Sequence, residues 1–284
     1  MLAREWKLAG RSLAYGERTL VMGVLNVTPD SFSDGGQFFA FERAIEQAER
    51  MISEGADIID VGGESTRPGS EFVSEDEELR RVIPIIERLA ASSLIPISID
   101  TTKPSVARAA LEGGAEIVND ISGLRFHPAI ADAVMKAKAG LVLMHSRGTP
   151  KDMQQLPPAA DIMSEVISGL RQSVAIAEEH GVPRASIAID PGIGFGKTAD
   201  QNVELIAKLD QLAREFPDLP LMIGTSRKSF LGKLLGDAPA DERLQGTIAS
   251  AVAAVLKGAH IVRVHDVEPA VEAVRVADAI RAVR

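Results

Sequence analysis

The chain has 284 residues, enough for one large α/β unit or two small domains, and its 45% hydrophobic content can build a sizeable core. A net charge of −9 speaks against nucleic acid or an anionic membrane as partner, because holding a polyanion takes clustered cationic charge. With no cysteine, disulfides, thiolate catalysis and Cys-based zinc sites are excluded.

At the start, Arg4, Glu5 and Lys7 interrupt the apolar residues, so Met1–Gly10 lacks the core of a secretory signal. No later stretch approaches the roughly eighteen apolar residues of a membrane helix. A soluble, cytoplasmic protein is expected. Glu5–Tyr15 reads as a small hairpin turning at Gly10. Eight candidate strands follow: Leu20–Asn26, Asp57–Gly62, Ile95–Thr101, Glu116–Asn119, Gly140–His145, Ser186–Asp190, Leu219–Gly224 and His260–His265. Amphipathic stretches lie between them, for example Phe41–Glu54, Glu75–Ala91, Pro104–Glu112 and Asp161–His180. Ser74 before the acidic run Glu75–Glu78 marks a helix start and needs no functional reading.

Three segments, Glu54–Val61, Gly113–Asp120 and Lys257–His265, repeat one pattern: a Gly-Ala helix exit, a short β-branched run, then polar residues. Strand then helix, eight times without a linker, predicts an α/β fold of a single domain, residues 1–284. It would be a (β/α)8 TIM barrel over residues 20–284, with the N-terminal β-hairpin of residues 1–16 covering its floor. An open doubly wound sheet is the alternative. The segments Asn26–Ala40, Gly62–Ser74 and His145–Ala160 each directly follow a strand, which in a barrel puts them on the catalytic face.

The strands end on polar residues where a buried strand should be apolar: Asn26, Asp100, Asn119, His145, Asp190, Arg263 and His265. Period-two alternation sets Arg263 and His265 on one face of their strand and Val262 and Val264 on the other; Ser98 and Asp100 likewise share a face. A single strand-end Asp is usually a helix cap. The full set predicts a shared polar cavity at the barrel mouth. Asp100, Asn119 and Asp190 bring acceptors suited to an amidine-like N–H edge, while Arg67, Lys228, Arg263 and His265 bring cationic donors suited to phosphate. The expected ligand has a flat, guanidine-like end and an anionic end.

Eight motifs stand in order along the chain: Gly23–Gly36 (GVLNVTPDSFSDGG), Asp60–Gly69 (DVGGESTRPG), Ile99–Pro104 (IDTTKP), Asn119–Asp120, Met144–Pro150 (MHSRGTP), Asp190–Lys197 (DPGIGFGK), Ser226–Ser229 (SRKS) and Gly258–Asp266 (GAHIVRVHD). With these the sequence resembles the dihydropteroate synthases over almost its whole length. The resemblance implies condensation of 6-hydroxymethyl-7,8-dihydropterin pyrophosphate with p-aminobenzoate, a magnesium ion, a homodimer and a sulfonamide target. It implies that Asp100, Asn119, Asp190, Lys228, Phe195 and Met144 hold the pterin, with Asp100, Asp190 and Lys228 closest to catalysis. Thr66, Arg67, Arg263 and His265 would bind pyrophosphate, and Asn26 the metal. Phe32, Thr66, Pro68, Phe195, Ser226 and Lys228 would surround p-aminobenzoate, in a slot built once pyrophosphate engages Asn26 and Arg67. Ser146–Arg147 departs from the family pattern.

Other features carry blander expectations. His145 and His260 read as structural, and His127 and His180 as loop or helix-end residues. Gly192–Gly196 lacks dinucleotide-site spacing and reads as backbone room beside a ring. The rivals are a pterin-dependent methyltransferase, against which Arg67, Arg263 and His265 speak, and a catalytically silent pterin-binding relative.

Overall fold

A computed structural model describes residues 4–28, 36–65, 70, 72–149, 151–153 and 155–283, with the backbone alone for 36–40. Strands β1 (Arg4–Lys7) and β2 (Ser12–Tyr15) form an antiparallel hairpin, Arg4 opposite Tyr15, around a left-handed Gly10. Then follow β3 (Leu20–Asn26), α1 (Gly36–Ser53), β4 (Ile58–Gly62), α2 (Glu75–Ser92), β5 (Ile97–Asp100) and α3 (Pro104–Glu112). The middle of the chain forms β6 (Ile117–Asp120), α4 (Ile130–Ala137), β7 (Gly140–Met144), α5 (Ile162–Glu179), β8 (Ile187–Asp190) and α6 (Ala199–Ala207). The last third adds α7 (Leu209–Glu215), β9 (Met222–Ile223), α8 (Ser229–Leu234), α9 (Leu244–Leu256), β10 (Ile261–Val264) and α10 (Val267–Ala282).

Strands β3 to β10 make one parallel sheet in the order β8-β7-β6-β5-β4-β3-β10-β9. A bridge between Ile189 and Leu221, with Ile189 N–H donating to Pro220 O at 2.9 Å, joins β8 to the segment entering β9 and closes the barrel. An open sheet is thereby ruled out. Only two residues of the expected strand Leu219–Gly224 form ladder pairs as β9. Helix α1 begins at Gly36, five residues before the expected Phe41, since nothing in Gln37–Ala40 breaks a helix. Ser74 caps α2 as expected, its side chain accepting from Glu77 N.

Alternation sorts the strand side chains. Val21, Leu25, Ile59, Val61, Ile97, Ile99, Val262 and Val264 face outward and bury against the helices. Inside the barrel a lower layer is apolar: Leu20, Met22, Ile58, Ile117, Val142, Ala188, Met222 and Ile261 pack with Trp6, Leu8 and Tyr15 of the hairpin region. Trp6 is fully buried, and its Nε1–H donates to Ser186 O at 2.9 Å. The hairpin is thus the floor of the barrel. A fully buried indole is worth several kcal/mol to the fold.

Candidate active site

Further along most of these strands, the same inward face turns polar. Asn26, Asp60, Asp100, Asn119, Asp190 and Arg263 continue the alternation above Met22, Ile58, Ile117, Ala188 and Ile261, and His265 follows β10. The register sets Gly62 beside both Asn26 and Asp100, and Asp100 beside Asn119. A cavity of about 600 Å³ opens there, with Asn26, Phe195, Ser226, Lys228, Arg263 and His265 in its wall. Asp100, Asn119 and Asp190 do not reach that wall. They lie buried below it, and Arg263 connects the two levels.

Arg263 donates from Nε to Asp60 Oδ2 and from Nη2 to Asp100 Oδ2, each at 2.7 Å. Asp60 Oδ2 also accepts from Asn119 Nδ2 at 3.0 Å. Asp190 Oδ1 accepts from Gly192 N at 2.6 Å. Lys228, the residue before α8, places Nζ 4.2 Å from the centroid of the Phe195 ring. Phe195, Met144, Ile121 and Met153 form a small apolar cluster at this end of the barrel. Ser226 Oγ accepts from His265 N at 3.2 Å and lies 2.9 Å from its Nδ1. The arrangement offers a flat cation-like ligand a set of buried acceptors, an apolar and aromatic face, and cationic groups above.

Burial raises the Asp100 carboxyl to about 7 although Arg263 pulls it down. Burial likewise raises Asp190. Burial, reinforced by Arg263, Arg227 and Lys228, pushes His265 down to about 3. That shift favours the neutral imidazole in the ligand-free site, where the sequence suggested a cation; a neutral ring can still donate one N–H to an oxyanion.

His145 also departs from the expected shared cavity. Strand β7 ends at Met144, and the His145 ring packs at α5, where a Cβ on Gly169 would come within 2.6 Å of it. Burial lowers it to about 2, as befits a structural residue. His260 is structural as expected, its Nδ1 accepting from Leu221 N. The glycines of Gly192–Gly196 leave room for neighbouring backbone and not mainly for a ring. A Cβ on Gly192 would lie 1.9 Å from His145 O, and one on Gly196 2.5 Å from Arg147 O, both at left-handed φ. Arg147, in the loop after β7, binds Pro157 O of the same loop, Glu165 Oε1 of α5 and Gly196 O of the loop after β8. Phe32, Thr66, Arg67 and Pro68 lie outside the described residues.

Sequence reasoning overlooked two residues. Asp60 belongs to the same alternation but lies inside β4, not at its end. Lys197, at the end of the Asp190–Lys197 motif, is buried and donates to the carbonyls of His145, Gly192 and Phe195, which fixes the loop carrying Phe195. Burial lowers its ammonium to about 7.

Residues 22–265 match the family described as "Pterin binding enzyme". A dihydropteroate synthase from Synechocystis sp. is 51% identical over 266 residues, covering 94% of this chain and 91% of the relative. The chain belongs to the dihydropteroate synthase family. Solved synthases superpose closely. The Xanthomonas albilineans dihydropteroate synthase with 4-aminobenzoic acid gives a TM-score of 0.90 at 43% identity, covering 99% of this chain and 100% of that one. The Burkholderia cenocepacia dihydropteroate synthase complexed with 7,8-dihydropteroate gives 0.88 at 43% identity, covering 100% and 99%. The likeness to solved synthases thus spans the described barrel and the hairpin alike.

Proposed function

We propose that the cavity at the barrel mouth condenses 6-hydroxymethyl-7,8-dihydropterin pyrophosphate with p-aminobenzoate, giving 7,8-dihydropteroate and pyrophosphate. The observation that carries this reading is the stacking of two opposite chemistries: buried Asp100, Asn119 and Asp190 below, Lys228, Arg263 and His265 above. Asp100, Asn119 and Asp190 take the amidine edge of the pterin, with Lys228 at the ring and Met144 and Phe195 against its faces. Arg263 and His265, with Thr66 and Arg67, take the pyrophosphate. Phe195, Ser226 and Lys228, with Phe32, Thr66 and Pro68, surround p-aminobenzoate.

The bond from the pterin methylene carbon to the pyrophosphate oxygen breaks, its electron pair leaving with pyrophosphate. The arylamine nitrogen forms the new C–N bond with its lone pair and then loses a proton to solvent. No strong base is required, because an aryl amine has a free lone pair at neutral pH. Asp100 and Asp190 supply negative potential beside the methylene cation as it develops, and Arg263 stabilises the departing oxyanions, the largest electrostatic contribution.

Asn26 fits a magnesium ion that takes most of its ligands from pyrophosphate and water. Its amide oxygen is a hard donor at the mouth, near Gly62, and among the described residues no group of three acidic or histidine side chains offers a fuller protein cage. Magnesium bound there would neutralise phosphate charge. Residues 1–284 would act as one pterin-binding domain. A cytoplasmic homodimer inhibited by sulfonamides completes the proposal; no described helix is long and apolar enough to cross a membrane. The purified protein given both substrates and magnesium should form dihydropteroate, read by chromatography. Pterin binding without product would leave a silent binder, and no pterin binding would remove the reading altogether.

A further inference from the structure

Asp60 is fully buried in the middle of β4, between the apolar floor and the mouth. One oxygen, Oδ2, accepts from both Arg263 Nε and Asn119 Nδ2. Its other oxygen and Asn119 Oδ1 are buried without a hydrogen-bond partner among the described residues. Burying such atoms unpartnered costs free energy, so this arrangement needs a reason.

The chemistry of the pair supplies one. An Asn amide has a donor end and an acceptor end, and nothing in its shape distinguishes them. A carboxylate accepts only, so Asp60 admits the Nδ2 end of Asn119 and repels the oxygen. Asn119 Oδ1 must then point away from Asp60, unpaired and ready to accept. The same carboxylate oxygen holds Arg263 through Nε. When a pterin edge takes over Asp100, Arg263 can release its Nη2 bond to Asp100 and remain anchored at Asp60.

We propose that Asp60 is a positioning residue: it sets Asn119 with its acceptor toward the pterin and holds Arg263 at the pyrophosphate end through a single buried carboxylate. This rests on the pterin-binding reading above. Asp60 itself touches no substrate, and the substrate contacts are made by Asn119 and Arg263.

Asp60→Leu removes the shared acceptor at similar volume and leaves Asn119 Nδ2 and Arg263 Nε without it. Pterin affinity should fall by roughly 10- to 100-fold, the effect of losing one to two buried hydrogen bonds. Asp60→Asn can set its amide oxygen in the place of Oδ2, keeping both bonds, and its NH2 in the unpartnered place of Oδ1, so it should retain most of the wild-type affinity. A residue needed only for packing gives no such difference between the two variants. Titrating a dihydropterin by calorimetry into wild type and both variants, with circular dichroism confirming folding, makes the test. If wild type binds no pterin, the functional reading fails and not this one. If wild type binds and Asp60→Leu binds equally well, or Asp60→Asn loses as much as Asp60→Leu, the proposal is overturned.

A measurement on the unaltered protein covers variants that do not fold. The 15N side-chain amide of Asn119, assigned by correlation to its Cβ, should show one proton shifted downfield and protected from exchange. That signal should persist when pterin binds. Its absence, or its loss on binding, means the amide is free or turns over, and Asp60 does not position it.

Discussion

The lower and upper halves of the barrel interior are built largely by the same strands, two to four residues apart, and have opposite chemistry. Below, Met22, Ile58, Ile117, Val142, Ala188 and Ile261 close on Trp6 with no charge among them. Above, Asp60, Asp100, Asn119 and Asp190 are almost as deeply buried and Arg263 is partly buried, yet every one is polar. Burying apolar surface stabilises by roughly 25 cal/mol per Å², whereas burying charge costs free energy unless partners compensate. The lower half therefore holds the barrel closed, and the upper half draws on that stability to keep acceptors dry and aimed. In that dry environment hydrogen bonds to a ligand are strongest.

The sharpest break between the halves is at the floor. Trp6→Ala should destabilise the protein by about 3–5 kcal/mol, the usual range for deleting a core tryptophan. Pterin affinity of the folded variant should stay unchanged. Chemical denaturation and calorimetry on the same sample check this, and a parallel loss of affinity would mean that the floor shapes the mouth directly.

The reverse separation is expected from Asp190→Asn. Its amide oxygen can still accept from Gly192 N, so the β8 turn survives, but an NH2 then meets the N–H edge of the ligand. Pterin affinity should fall by about 2–4 kcal/mol. Stability should hold or rise, because burial already disfavours the Asp190 carboxylate. Wild-type affinity would mean that another residue holds the ring.

The smallest effect per step is a pH dependence, at most about tenfold for each pH unit, that runs in opposite directions for folding and binding. Asp100 is raised from an ordinary 3.8 to about 7, burial being the main cause, so the folded protein favours its protonated form. Its contribution to stability is full at acid pH and is lost as pH rises from about 3.8 through 7. Pterin needs the ionised acceptor, so affinity should climb with pH up to about 7 and then level off. One proton limits the slope to about tenfold per pH unit. Asp100→Asn should flatten both curves; a pH dependence surviving in that variant would assign it to another group.

Much of this site was legible in the sequence because period-two alternation survives folding. Arg263 and His265 on one face with Val262 and Val264 on the other, or Ser98 with Asp100, follow from strand geometry alone. Asp60 carries the same signal two residues after Ile58, but its mid-strand position sets it apart from the polar residues that end the strands. His145 shows the opposite failure. It stands one residue past Met144, and one residue is enough to turn a side chain from the cavity to the outer helices.

The sequence by itself determined the eight strand–helix units, the hairpin and the polar character of the strand ends, since each depends on local periodicity, turn chemistry or residue type. Only the tertiary structure decided which polar groups meet. Arg263, 203 residues from Asp60 and 163 from Asp100, bonds both because barrel closure places β10 beside β3 and one strand away from β4. The lowered His265 and the elevated Asp100 follow from the same closure, because water is excluded only once all eight strands surround them.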